Sequence, residues 1–319
     1  MKTARSLFKW FLRFILLYVL FIAFFTIGSL ALANAMPDAA ISEPGLVPLT
    51  IGLLIIALAN LLVIAALIMT SRWGAWKLAV SLALAYYGAV TFVLQIETWY
   101  FLSSTTVGPG VLPRLFLMGV PTAFVFIPLA VWILGKGHST GETSFNRALA
   151  MPVRQWIWKL AILAVAYVAL YWGAGYFIAW QNPELRAFYG QPGDALGFFA
   201  HTANTLRDDP MLFPFQVLRG LLWVLCALPI IRSSKVNPWL TALLVGLFFS
   251  VPQNVGHIIE NPLMPIASVR LSHMIETASS TFVYGVLVVW LLHRKHHSFK
   301  DLIGVHKVHQ EYDEALQST

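Results

Sequence analysis

Charged residues are scarce in this chain. Asp, Glu, Lys and Arg make up 11% of its 319 residues, whereas hydrophobic residues make up 58%. A soluble globular domain carries about 25% charged residues, so this composition excludes an ordinary soluble domain and indicates an integral membrane protein. The formal charge of +7 does not predict a nucleic-acid partner, because the basic residues are distributed by membrane side, as shown below.

Cysteine and paired glutamates are also missing. The one cysteine, Cys226, lies in the apolar run LLWVLCALPII, which excludes a disulfide framework and a thiolate metal cluster. The chain has no Glu–Glu dipeptide. The H-x-x-x-N spacing of His257 and Asn261 therefore does not predict an intramembrane CAAX-type protease, since that family needs paired glutamates.

Histidine boxes are too few for a membrane desaturase or hydroxylase. The run HRKHH, residues 293–297, matches one such box, but those families need several, and only His306 and His309 follow it. We interpret this run as part of a basic cytoplasmic tail, residues 293–319, that contacts lipid headgroups.

Long apolar runs are what the chain has instead. Runs of at least about 18 apolar residues predict membrane-spanning helices. The sequence predicts an all-α membrane protein, a single domain with a bundle of about eight transmembrane helices, at about 8–33, 46–70, 76–101, 111–134, 156–180, 213–231, 238–259 and 267–292. The first run follows a basic start and ends in small residues. We interpret it as an uncleaved helix, with signal-peptide cleavage after Ala35 as the alternative.

The lysines and arginines predict the orientation. Sixteen of them fall on the side that holds both termini, four fall on the opposite side, and Arg219 lies inside a span. By the positive-inside rule, both termini are cytoplasmic. We therefore expect a multi-pass protein of the cytoplasmic membrane, with the lipid bilayer as its surroundings.

Ionisable residues inside the spans gather on the predicted outer side. Each costs about 2.5–3.5 kcal/mol at a helix centre, so such groups usually face a shared interior and have a function. In the inner halves, Asn60 is the clearest buried amide. We expect one polar cavity, open on the outer side alone, formed by Glu97, Arg114, Arg219, His257, Glu260, Arg270, His273 and Glu276.

Two H-x-x-E pairs suggest the chemistry of this cavity. His257 with Glu260, and His273 with Glu276, are each spaced to share one helix face. The two pairs offer imidazole and carboxylate ligands for a divalent metal, which is the possible cofactor.

A metal-free hypothesis uses the same residues. Here His273, Glu276 and Glu97 are the catalytic acid–base groups. The substrate-binding groups are Arg114, Arg219, Arg270, Ser280 and Tyr284, of which an arginine would hold an anion. The alternative without catalysis is a structural network of buried ion pairs.

The long outer loop, residues 181–212, contains a candidate lid. Segment 195–207 places Leu196, Phe199, Ala203 and Leu206 at helical spacing with polar residues between them. This pattern predicts an interfacial helix over the cavity, with His201 and the Asp208–Asp209 pair near its entrance. The alternative is a solvated loop anchored by a few aromatic residues.

The last two helices carry a recognisable signature. It reads R-x-x-H-x-x-E-x-x-S-S-x-F-x-Y-G from Arg270 to Gly285, after N-P-x-x-P from Asn261 to Pro265. This signature resembles uncharacterised bacterial polytopic membrane proteins. The resemblance implies an eight-helix bacterial membrane protein and no particular activity.

The one-sided cavity favours an enzyme or binding protein for a lipid or lipid-linked substrate. A small-solute transporter is the alternative, but alternating access usually requires polar lining at both faces and internal repeats. The sequence shows neither.

Overall fold

The computed structural model describes residues 2–33, 35, 42–137, 149–294, 296 and 299–302. Within these ranges the chain is helical and contains no strand. Eight helices are long and apolar enough to cross a membrane, so the predicted fold of eight membrane-length helices is confirmed. They are α1 (Leu7–Leu32), α2 (Leu49–Thr70), α3 (Ala75–Leu102), α4 (Val111–Ile133), α5 (Val153–Gln181), α6 (Leu212–Ser233), α7 (Pro238–Ile258) and α8 (Ala267–Leu292).

Shorter helices fill part of the connections. A short helix, Pro183–Phe188, follows α5, and a second helix, Phe198–Asp208, precedes α6. We call the second one the loop helix; it lies in the segment for which the sequence predicts an amphipathic helix. A last turn, Phe299–Leu302, follows α8. The alternative cleavage after Ala35 falls next to residues outside the described ranges.

Helix α7 ends close to the predicted position, but its last turn is not α-helical. Its α-helical part stops at Asn254, two residues after Pro252, and a 3-10 turn continues from Val255 to Ile258. Ile259 is extended, so Glu260 lies outside the helix. Proline cannot donate the backbone hydrogen bond of a regular helix, which explains a change of winding near it.

Helices α3 and α4 each contain a π-helical stretch that the sequence does not reveal. The stretches are Tyr87–Phe92 and Thr122–Phe126. The two helices approach closely beside them, because a Cβ built on Gly119 would lie 2.0 Å from Oγ1 of Thr91. π-Helical turns are often found at functional sites.

One half of the bundle is a packed apolar core. Leu61, Ile64, Val245, Phe249 and Val288 are each fully or almost fully buried there. Asn60 lies within this half with both amide groups satisfied: it donates to the carbonyl of Ile56 at 2.8 Å, and its Oδ1 accepts the hydroxyl of Tyr86 at 2.6 Å.

Small residues bring α7 and α8 together. A Cβ on Gly285 would lie 2.8 Å from Cα of Gly246, so the two backbones touch as small-residue motifs in membrane helices allow. This contact fixes the position of α8, which carries the polar signature.

Candidate functional site

A cavity of about 650 Å³ occupies the other half of the bundle. Its walls come from the C-terminal parts of α3, α5 and α7, the N-terminal parts of α6 and α8, and the loop between α5 and α6. Binding sites for small molecules are typically about 300–1,000 Å³. The cavity is therefore large enough for a small molecule or for the headgroup and glycerol region of a lipid.

His273 lies between a carboxylate and a hydroxyl on the cavity wall. Its Nδ1 is 3.4 Å from Oε2 of Glu276, and its Nε2 is 2.8 Å from the hydroxyl of Tyr189. Burial, with the nearby carboxylates Glu97 and Glu276, raises the pKa of Tyr189. The hydroxyl therefore keeps its proton, and it shares a hydrogen bond with Nε2 of His273 whose donor depends on the imidazole tautomer. This carboxylate–imidazole–hydroxyl connectivity is the one used for proton transfer in enzymes.

The buried guanidinium of Arg219 forms an ion pair with the half-buried carboxylate of Glu97. Nη2 of Arg219 hydrogen-bonds to Oε2 of Glu97, and Nη1 donates to Oε1 of Gln216 at 2.8 Å. The guanidinium also lies 5.9–6.0 Å from the ring centres of Tyr167, Tyr171 and Phe215. Its Nε is buried and has no hydrogen-bond partner among the described residues.

Aromatic side chains of α5 form one wall of the cavity. We call this set, Tyr167, Tyr171, Trp172, Tyr176 and Trp180, the aromatic wall. Tyr167, Trp172, Tyr176 and Trp180 follow one another at four or five residues, which places them on one side of α5, and Tyr171 is adjacent to Trp172.

The loop helix covers the aromatic wall. The ring of His201 stacks on Trp172 at 5.1 Å and lies 5.0 Å from Trp180. Nε1 of Trp172 donates to Thr202 at 2.8 Å, and Tyr100 donates to Asp209 at 2.6 Å. Burial among these rings lowers the pKa of His201, so the docked loop helix favours the neutral imidazole.

The structure brings together six of the ten residues that the sequence analysis assigns to the site. The residues lining the cavity are Glu97, Arg219, His257, His273, Glu276 and Ser280. Four others, Arg114, Glu260, Arg270 and Tyr284, do not line it. The lining set supplies the acid–base groups of the metal-free hypothesis and one of its three arginines.

The guanidinium of Arg270 donates its hydrogen bonds to backbone carbonyls. Its Nη1 donates to the carbonyls of Met264 and Pro265, and its Nη2 donates to those of Glu43 and Pro44, all at 2.8–2.9 Å. A guanidinium that is almost fully buried and has four carbonyl partners joins the α1–α2 connection to the start of α8. This environment is that of a structural residue.

The remaining three residues also lie outside the cavity lining. Tyr284 is fully buried beneath the cavity and donates to the carbonyl of Gly220 at 2.9 Å, which joins α8 to α6. Nη1 of Arg114 is exposed and lies 3.3 Å from the carbonyl of Ala33. Glu260 is exposed beyond the end of α7.

The expected pairing of His257 with Glu260 on one helix face is wrong, because α7 ends at Ile258. Nδ1 of His257 instead lies 3.1 Å from the carbonyl of Asn254. Within the described ranges, no three His, Cys, Asp or Glu side chains lie close enough together to hold a metal ion. The geometry of the donors therefore gives no support to the metal hypothesis.

Tyr189 and the aromatic wall were not among the residues expected at the site. Tyr189 lies just after the short helix, and nothing in the local sequence indicates that its side chain reaches His273. The aromatic wall does leave a signal: the stretch YVALYWGAGYFIAW, residues 167–180, repeats aromatic residues along one helix face.

These contacts describe a chemically defined site. An imidazole between a carboxylate and a phenol can take part in transfer of one proton, and the aromatic wall gives the cavity one apolar side. Comparison of the chain with family models, with curated proteins and with solved structures gave no match. Function must therefore be argued from the geometry alone.

Proposed function

We propose that this multi-pass membrane protein binds a lipid or lipid-linked molecule in the cavity and acts on it by acid–base chemistry. The supporting observation is the row Tyr189–His273–Glu276 on the wall of a cavity of about 650 Å³. In this proposal His273 is the general base and acts through Tyr189: the phenol oxygen takes a proton from the ligand while its own proton passes to Nε2 of His273. Glu276 orients the imidazole and stabilises the imidazolium that forms.

The proposed membrane orientation follows the distribution of basic residues. Both termini are cytoplasmic, and the cavity lies in the outer leaflet of the cytoplasmic membrane. The exposed face of the loop helix supports this placement: Phe199 is 86% exposed and Leu206 is 50% exposed. Apolar side chains on a surface helix suit the headgroup region of a bilayer.

The packed half of the bundle favours this proposal over transport. Asn60 is 2% exposed and satisfied by its neighbours, and it does not line the cavity. A transporter would need a second polar path there.

A non-catalytic membrane protein is the second candidate. The ion pair between Arg219 and Glu97 favours it, because buried pairs can serve structure alone.

The first experiment identifies the lipids that bind to the protein and tests whether the protein converts them chemically. The protein is purified in a mild detergent, and lipids that copurify with it are identified by mass spectrometry. It is then placed in nanodiscs made from a bacterial polar lipid extract, and the lipids are analysed over time. We expect copurifying lipids, and a lipid change that His273→Gln and Glu276→Gln abolish.

Two glycines of α5 provide a matched control. A Cβ on Gly173 or on Gly175 meets no atom within 4 Å, but Gly175 lines the cavity and Gly173 does not. Gly175→Leu should fill the cavity and lose the bound lipids, and Gly173→Leu should keep them. Equal lipid retention by both variants would overturn the proposal. If the wild-type protein retains lipids but does not change them chemically, the non-catalytic candidate is supported instead.

A further inference from the structure

The cavity carries an excess of negative charge. Its lining contains four carboxylates, from Glu97, Asp208, Asp209 and Glu276, and among the described lining residues one permanently charged cation, Arg219. Asp208 is paired with Arg207 outside the lining. With that pair and the histidines counted as neutral, the formal charge of the lining is −2. Such a lining repels anionic ligands and attracts cations, and its low-dielectric walls strengthen both effects.

Arg219 is poorly placed to reverse this preference. Two of its three nitrogens already serve Glu97 and Gln216, and Glu97 neutralises its charge. Nε is its one nitrogen without a hydrogen-bond partner among the described residues. Bidentate binding of a phosphate or carboxylate needs two parallel donors that face the ligand, and the contacts to Gln216 and Glu97 already orient both Nη atoms of Arg219.

Glu276 has an unused capacity to accept. Its side chain is 4% exposed, and Nδ1 of His273 at 3.4 Å is the one hydrogen-bonding or ionic partner of that carboxylate within the described part of the chain. A buried carboxylate is costly unless it is paired and hydrogen-bonded. An imidazole provides a full counter-charge only when it is protonated.

The aromatic wall adds a second attraction for cations. The negative faces of Tyr and Trp rings attract cations. Proteins use this attraction to recognise ammonium groups. Tyr171 already faces the guanidinium of Arg219 at 6.0 Å, which demonstrates that this wall accommodates a cation. Tyr171 and Glu276 line the same cavity.

From these observations we infer that the ligand of the cavity carries an ammonium group, which pairs with Glu276 and lies against the aromatic wall. This inference rests on the proposed function and narrows its substrate class to amine-bearing lipids. Nε of Arg219 then donates to a neutral or ester oxygen of the same ligand.

The test compares three probes on the full-length protein in detergent, with native mass spectrometry and thermal shift as readouts. The probes are phosphatidylethanolamine, phosphatidylglycerol of the same acyl chains, and free ethanolamine. We expect phosphatidylethanolamine to bind about tenfold more tightly than phosphatidylglycerol, a difference that one cation–π and ionic contact can supply. Glu276→Gln should reduce that preference at least severalfold. Glu260→Gln, which removes an exposed acid outside the cavity, should not.

Each outcome separates the two proposals. If phosphatidylglycerol binds as tightly as phosphatidylethanolamine and Gly175→Leu blocks both, the ammonium inference is wrong and the lipid cavity stands. If Gly175→Leu affects neither lipid, both proposals fail. If free ethanolamine binds as tightly as the lipid, the ammonium inference holds and the lipid assignment falls. Should Glu276→Gln not fold, the comparison of the probes on the wild-type protein still decides.

Discussion

Arg219 is the residue whose surroundings constrain the site most. Its guanidinium has one carboxylate partner, one amide partner and three aromatic neighbours, and the arginine is 3% exposed. A charge in this position depends on Glu97, because no water can replace a lost partner at low cost. The pair thus links α6 to α3 across the cavity.

Removing Glu97 should therefore destabilise the protein strongly. Glu97→Ala leaves Arg219 buried without a counter-charge, and we expect a loss of about 3–5 kcal/mol, measured as a lower melting temperature in detergent. Arg207→Ala is the control, because Arg207 forms an exposed pair with Asp208 and its side chain is 71% exposed. That variant should melt like the wild type. A wild-type melting temperature for Glu97→Ala would show that the pair contributes nothing to stability.

Substitution of Arg270 should change stability and leave lipid affinity unchanged, which is the opposite of what a ligand-binding arginine would show. Arg270→Lys cannot span four carbonyls, because an ammonium is a compact charge without the planar fork of a guanidinium. We expect a loss of about 2–3 kcal/mol of stability and unchanged lipid affinity in the folded fraction. Thermal unfolding and native mass spectrometry measure the two quantities. Reduced affinity at unchanged stability would instead return Arg270 to the substrate-binding role that the sequence suggests.

At the scale of elements, the loop helix is the part best placed to control access to the cavity. It is held by side-chain contacts: His201 on Trp172, Thr202 to Trp172, and Asp209 to Tyr100. Its opposite face is exposed and apolar. A helix with few contacts to the core opens at lower free energy than the bundle.

Acid should loosen the loop helix. Burial lowers the pKa of His201, whereas an undocked loop helix returns it to about 6.5. As the pH falls below that value, the undocked state binds a proton that the docked state resists, so docking weakens; above it, docking is independent of this group. Asp208 stays ionised in this range, because Arg207 holds its pKa below the usual value.

Amide hydrogen exchange of residues 198–208, compared at about pH 7.5 and about pH 5.5 after correction for intrinsic rates, measures this change. We expect faster corrected exchange at the lower pH. His201→Phe keeps an aromatic ring against Trp172 and cannot take up a proton, so it should abolish the pH dependence. The same acceleration in His201→Phe would assign the effect to another group.

At the scale of the whole molecule, the eight apolar helices could be predicted from the sequence because length and hydropathy alone decide them. The position of His273 and Glu276 on the cavity wall was also predictable, since ionisable residues in a span usually face the interior of the bundle. The role of Arg270 was not, because two of its four carbonyl partners, Glu43 and Pro44, belong to a connection more than 200 residues away in the chain. Nor was the pairing of Tyr189 with His273, which depends on how a loop folds back over the bundle.

The membrane orientation is the remaining whole-molecule prediction. The basic residues predict that both termini are cytoplasmic. The loop between α5 and α6 would then lie outside, and the connection between α6 and α7 would lie inside. Asp194 and Lys235 are exposed in these two connections. Since Cys226 is buried, a Cys226→Ser background allows a single new cysteine at either position.

We expect a membrane-impermeant maleimide to label Asp194→Cys in intact cells and Lys235→Cys only after the membrane is permeabilised. The Cys226→Ser background without a new cysteine is the control for unspecific labelling. The reverse pattern would place the cavity on the cytoplasmic side. The acid–base geometry would survive that result, because it depends on the bundle alone. The ligand would then be drawn from the inner leaflet, and the lipid comparisons would have to be repeated with lipids of that leaflet.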